Sequence, residues 1–207
     1  MSITGTEDRI QKLILTEWDF FQETRNIGGR ASCQNNYDMF YAMRRSQWSS
    51  LWPETVRSCL QDDLEARREG RNPVEEKYGY MMASYAPADY AKIRSALPAV
   101  SDRKRELVES IVCVFLLWYE ELLPVLPAVL HHGRNLYSHS DSPGSVSIET
   151  YLRGELLTYS ERTLDLWLAS AEQDAAAGTN RVLKIYDETA RFYGYASAKE
   201  MEKASAS

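Results

Sequence analysis

Three stretches of this chain place a charged side chain where helical periodicity asks for an apolar one. At about 100° per residue, Ile10, Leu13, Ile14, Phe20 and Phe21 fall on one stripe, and Glu17 lies at its centre. The same arithmetic puts Arg44 among Tyr37, Phe40, Tyr41 and Trp48, and Glu155 among Ile148, Tyr151, Leu152, Tyr159 and Leu166. An isolated charge in a core costs on the order of several kcal/mol, so charges on core faces of separate helices are expected to converge and neutralise one another. Two readings are open. The residues form a structural ion-pair cluster or a partly wet groove between helices, or they line a pocket with Tyr78, Tyr151 and Tyr159 at its rim or floor. In the pocket, a carboxylate against an apolar wall has its pKa raised toward neutrality, which suits Glu17 and Glu155 to proton transfer. Tyr159, one turn beyond Glu155, could donate to a developing oxyanion.

The stretch NIGGRASCQNNYDMFYAMRRSQW, residues 26 to 48, adds to this set. The unusual backbone angles open to Gly28 and Gly29 predict a turn that carries Arg30, Cys33 and Gln34 across the bundle end, between Glu17 and Arg44. The planar fork of Arg30 suits a substrate carboxylate or phosphate, and equally a neighbouring Glu. Cys33 is a nucleophile if a cation lowers its pKa and an inert packing residue otherwise; Cys59 and Cys113 are assigned to packing. Lys77 borders the Val74, Tyr78 and Met81 face, where it binds an anion, acts as a base or snorkels to solvent. Glu121 shares a face with Leu107, Val114 and Trp118. No metal site is expected; were one present, Glu17, Glu121 and Glu155 would supply its hard oxygen ligands. His131, His132 and His139 fall in one loop and read as exposed. The chain has no Glu-x-x-His pairs, nucleotide-binding glycine loop, GxSxG elbow or HExxH.

The elements that must position these groups are helices, because the apolar pattern repeats near 3.6 residues and no alternating strand pair stands out. Helices are predicted from about 7 to 25 with Thr6 as N-cap, from 36 to 50, from Pro53 to Gly70, and from Asn72, whose NPVE start supplies cap, first-turn Pro and acidic N3 residue. A short helix lies between Pro87 and Pro98 and a long one spans 101 to 124, apolar nearly all round, so that Glu120 and Glu121 cannot easily both reach water. A loop covers 131 to 147. One long helix from 148 to 175 and a last one from 179 to 192 precede a polar tail at 196 to 207. The expected architecture is all-α, a single-domain multi-helix bundle with a charged centre and a core from about 7 to 195.

Composition narrows the function classes. The 207 residues carry a net charge of −6, which disfavours nucleic acid as a partner. Thirteen Tyr and five Trp can line a pocket as well as fill a core. The start lacks a secretory signal, and the apolar run at 111 to 119 is about half of the roughly 20 residues a membrane crossing needs, so a cytosolic protein without membrane contact is expected. Three cysteines without CxxC spacing argue against a disulfide framework.

The segments GGRASCQ at 28 to 34, FYAMRRSQ at 40 to 47, EGRNPVEEKYGYM at 69 to 81, ETYLRGELLTYSERTL at 149 to 164 and RFYGYASAKEME at 191 to 202 resemble the bacterial domain of unknown function 4125 family. The resemblance spans nearly the whole chain and implies no reaction. It implies polar motif positions at Arg30, Cys33, Gln34, Arg44, Glu76, Lys77, Tyr78, Arg153, Glu155 and Tyr159. Taken together, the residues and the resemblance lead to an enzyme of lyase, isomerase or hydrolase type. Glu17, Glu155, Tyr159 and Cys33 are its candidate catalytic groups. Arg30, Gln34, Arg44, Lys77, Tyr78, Tyr151 and Arg153 are candidates to hold a small, polar, anionic substrate. No cofactor is predicted, with a divalent metal as the open case. The alternatives are a non-catalytic metabolite-binding or regulatory module and a carboxylate-bound metalloenzyme. A homodimer through exposed aromatics such as Trp52 or Trp167 is the expected assembly.

Overall fold

The computed structural model describes residues 5–25, 29–131 and 133–206, and among them eleven α-helices and no strand beyond an isolated Ser142 to Ser145 bridge. The helices are α1 (Thr6–Glu23), α2 (Tyr37–Ser49), α3 (Pro53–Arg68), α4 (Pro73–Tyr85), α5 (Pro87–Ile93), α6 (Asp102–Leu122), α7 (Pro127–His131), α8 (Ile148–Leu156), α9 (Glu161–Ala176), α10 (Arg181–Phe192) and α11 (Ala198–Ser205). Gly28 and His132 lie outside the described residues.

Local chemistry sets most of these boundaries. Pro53, Pro73 and Pro87 each open a helix, where the missing N–H costs nothing. Asn36, Asn72, Ser101, Ser147, Ser160, Asn180 and Ser197 cap the N-termini of α2, α4, α6, α8, α9, α10 and α11 through their side chains. The α1 cap differs from expectation: Gly5 occupies that position and Thr6 is already helical.

α1 packs on α2 and α3, α6 on α9, and α4 on α8, around one continuous apolar core that includes Leu13, Trp48, Val56, Ile111, Leu156, Leu164 and Trp167. Gly154 lets α8 approach α4 closely: a Cβ there would meet Met81 Cγ at 2.6 Å and the Lys77 carbonyl oxygen at 3.0 Å. That contact brings Lys77 and Glu155 to one seam.

Four expectations are corrected. The single helix over 148 to 175 is two helices: Ser160 caps α9, and Asp62 of α3 braces that cap by accepting from the Ser160 N–H at 2.8 Å and the Thr163 hydroxyl at 2.6 Å. The polar tail is largely helical: the α11 start donates from Ala198 N–H to Asp187 at 2.8 Å, and Glu202 accepts from the Ala128 and Val129 N–H groups at the start of α7. The long α6 is not apolar all round; Cys113, Leu117, Glu120 and Glu121 form an exposed side. Trp167 is core, 1% exposed, and Trp52 is half-buried, so neither offers the exposed aromatic surface proposed for a dimer. No helix among the described residues is long and apolar enough to cross a membrane.

Candidate functional site

The charges on the wrong faces do meet. Arg44 of α2 donates through Nε to Glu17 of α1 at 2.9 Å and through Nη2 to the other Glu17 oxygen, a bidentate pair. Its Nη1 reaches Glu155 of α8 and Gln47, each at 2.9 Å. Trp48 Nε1 donates to Glu17 at 3.0 Å, Gln47 Nε2 donates to Glu155 at 3.0 Å, and the Arg44 guanidinium lies 4.6 Å from the Trp48 ring centroid. Every nitrogen of Arg44 therefore has a partner inside the bundle.

Lys77 of α4 is bound more loosely. Its Nζ donates to the Tyr151 hydroxyl at 2.9 Å and sits 3.5 Å from the second Glu155 oxygen, so three N–H groups find two acceptors among the described residues, one at the limit of hydrogen bonding. The residue is 8% exposed. Around it, half-buried Tyr78 and Tyr151 present their rings, with Lys77 Nζ 5.4 Å and 4.2 Å from the respective centroids. Arg134, from the loop before α8, lies 4.8 Å from the centroid of the Tyr151 ring. Burial, more than any neighbouring group, pushes the Tyr78 phenol up.

Electrostatics separates the two glutamates. Burial alone would raise the Glu155 carboxyl, but Arg44, Lys77 and the hydrogen bonds from Arg44 and Gln47 pull it down to about 2. Burial pushes Glu17 up, against the pull of Arg44, and the Glu155 charge adds to the rise. Lys77 is raised despite burial, by Tyr151 and Glu155, so it is an ammonium at neutral pH. Burial lifts the Tyr159 hydroxyl well above its ordinary value, with the Glu155 charge adding to it.

The structure joins Glu17, Arg44 and Glu155, the three charges expected to converge, and adds buried Lys77, which does not snorkel to solvent, together with Tyr151. Tyr78 flanks Lys77, Tyr159 packs edge-on against Trp48, and Cys33 is half-buried in the short turn Ser32–Asn35. Arg30 and Gln34 instead build the turn after α1. Gln34 is 1% exposed and donates to the Phe21 and Thr24 carbonyls at 2.6 and 3.1 Å, while exposed Arg30 bonds to Asn35, Gln22 and the Gln34 carbonyl. Gly29 carries the positive φ, +87°, that this turn needs. Arg153 points to the opposite side of α8, held by Glu109 and Glu149 in a surface groove of about 270 Å³. Glu121 accepts from Asn180 Nδ2 at 2.9 Å and takes no part in the cluster, so the trio suggested as metal ligands is not assembled. Among the described residues no group of three or more His, Cys, Asp or Glu is placed to hold a metal ion. A second groove, about 680 Å³, runs along Arg71, Glu76 and Leu97, also away from the cluster. The site is therefore marked by its chemistry rather than by depth.

Two members went unread in the sequence. Asp63 is 3% exposed, its Oδ2 has no hydrogen-bond partner among the described residues, and burial, with Glu17 nearby, drives its carboxyl well up. It stands one turn from Cys59 and two from Val56 on the buried stripe of α3, so the same periodicity would have found it. Arg134 sits in an irregular loop, where no periodic signal exists.

A family model described as Protein of unknown function (DUF4125) matches residues 7–203. No curated protein and no solved structure matches the chain.

Proposed function

We propose that this chain, which belongs to the DUF4125 family, binds a small anionic metabolite at the edge formed by Lys77, Tyr78, Tyr151 and Arg134. In this reading the Glu17, Arg44 and Glu155 network is the rigid backing of the site. The observation that carries it is the contrast between the two inner cations. Arg44 is saturated by partners within the bundle, whereas buried Lys77, among the described residues, has two oxygen acceptors for three N–H groups and turns the rest of its charge to two half-buried phenol rings. A buried ammonium short of acceptors favours an incoming anion, since each new charge-assisted bond removes a desolvation cost already present.

The test is native mass spectrometry of the purified chain after incubation with a cellular small-molecule fraction. An anion retained by the wild type and lost from Lys77→Met supports the proposal; equal retention by both sinks it.

Acid–base catalysis stays as the second reading, supported by one observation: burial pushes both Glu17 and the neighbouring Asp63 upward, behind the site. Glu155, held near 2, serves there as a fixed anion and not as an acid. If Glu17 exchanges a proton with the ligand, Glu17→Gln removes turnover while the ligand still binds. A Glu17→Gln protein that turns over at the wild-type rate rules this out.

A further inference from the structure

The charge balance at the Tyr151 edge identifies a ligand class. The chain carries −6 overall, yet here the three cations Arg44, Lys77 and Arg134 share two paired carboxylates, Glu17 and Glu155; the third carboxyl, Asp63, makes no ion pair among the described residues and is pushed well up by burial. Arg134 makes no ion pair among the described residues; its Nη1 donates to the Val146 carbonyl at 3.0 Å, and its guanidinium lies over the ring that Lys77 also approaches. The shortfall is one negative charge.

Arg134 is held in place by its neighbours. The loop that carries it is braced onto the start of α8 by Ile148 N–H to the Asn135 carbonyl at 2.8 Å and Glu149 N–H to the Leu136 carbonyl at 3.1 Å. Further along, Asp141 accepts from the Ser147 N–H and from the Thr150 and Ser84 hydroxyls, which ties the loop to α8 and α4. A braced guanidinium loses little conformational freedom on binding, and its planar fork matches two coplanar oxygens.

Resting on the reading above, we propose that Lys77 and Arg134 together take the carboxylate of a small planar monoacid, an aryl or conjugated carboxylate, whose flat body lies against Tyr78 and Tyr151. A monoanion neutralises the local excess of one. The two half-buried phenol rings flank the cations that lie over them, and offset or edge contacts with a flat partner held by those cations add to simple burial. Arg134 is thereby a specificity-determining residue.

Isothermal titration of the full chain with benzoate, cinnamate, cyclohexanecarboxylate, benzamide and inorganic phosphate tests this. Benzoate or cinnamate is expected to bind saturably, at least tenfold tighter than cyclohexanecarboxylate or phosphate, with benzamide silent. Arg134→Gln, an exposed substitution whose folding circular dichroism checks, and Lys77→Met should each weaken binding at least tenfold. No saturable binding of either planar acid, equal binding of benzamide, or unchanged binding by Arg134→Gln overturns the assignment. The two levels separate cleanly. A Lys77-dependent ligand from the cellular fraction that is a phosphate ester or a non-planar acid defeats this inference and leaves the metabolite site standing. Retention of every ligand by Lys77→Met defeats both.

Discussion

Gly154 of α8 lies directly against the backbone of Lys77 in α4, with room for no Cβ between them: the built atom would stand 3.0 Å from the Lys77 carbonyl oxygen and 2.6 Å from Met81 Cγ. The close approach is what puts Lys77 within reach of both Glu155 and Tyr151, so one absent methyl group sets the geometry of the charge network.

Gly154→Ala is therefore expected to destabilise the protein even though alanine is the better helix former. The propensity gain is about 1 kcal/mol. Overpacking against a backbone atom costs about 1–3 kcal/mol, and separating the helices further weakens the Lys77 to Glu155 contact. The expected net loss is about 1–2 kcal/mol in urea unfolding; a variant as stable as wild type would show that the two helices part without cost.

Arg44 is the single cation that holds both glutamates, so Arg44→Met leaves Glu17 buried with only the Trp48 indole as donor. Breaking a buried pair in this way costs about 3–5 kcal/mol. The double variant Arg44→Met/Glu17→Gln restores charge balance, since Lys77 still faces Glu155, and should recover at least half of the loss. Denaturant midpoints of the three proteins decide it. A double variant no better than the single would mean that Arg44 acts through shape and packing on Trp48, not through charge.

Glu155 gives the network an acid limit. Its folded pKa of about 2 lies below the usual carboxylate value, so its contribution is fully present above the unfolded pKa and disappears as pH falls toward 2. The stabilisation is on the order of 3 kcal/mol for this buried group. Lys77, raised in the folded state, keeps its contribution throughout the neutral range and loses it only in strong alkali. Wild type should exceed Glu155→Gln in stability at pH 7 by a margin that shrinks between pH 4 and pH 2; a margin independent of pH would exclude the ion pairs as its source.

Helix existence and the convergence of Glu17, Arg44 and Glu155 were legible because both follow from one local rule, the 3.6-residue period, applied helix by helix. The break between α8 and α9 was not, since the Ser160 cap lies inside a continuing apolar period and is braced by Asp62 of another helix. Arg30 and Gln34 looked like site residues because sequence shows polar side chains beside a Gly-Gly turn without showing that the turn consumes them. Arg153 and Glu155 are neighbours in sequence yet serve opposite sides of α8, a difference of about 200° that periodicity does predict. Arg134 had no local signal, because its partner is an aromatic face that becomes its neighbour only once the loop folds back on α8.

Asp63 offers a test with the opposite sign to Glu155. Its carboxyl is buried on α3 near Glu17, one oxygen lacks a hydrogen-bond partner among the described residues, and its pKa is pushed well up. A carboxyl whose folded pKa exceeds its unfolded value imposes no penalty below the unfolded pKa, and a growing one as pH rises, because the unfolded chain ionises first. Asp63→Asn removes the ionisation and keeps the shape, and its amide can donate toward Glu17. The variant should thus be more stable than wild type at pH 7, by at least about 1 kcal/mol, and indistinguishable from it near pH 3, below the unfolded pKa of roughly 3.9. Paired urea titrations at the two pH values measure this. A variant less stable than wild type at pH 7 but equal to it at the lower pH would show instead that ionised Asp63 has a favourable role in the core.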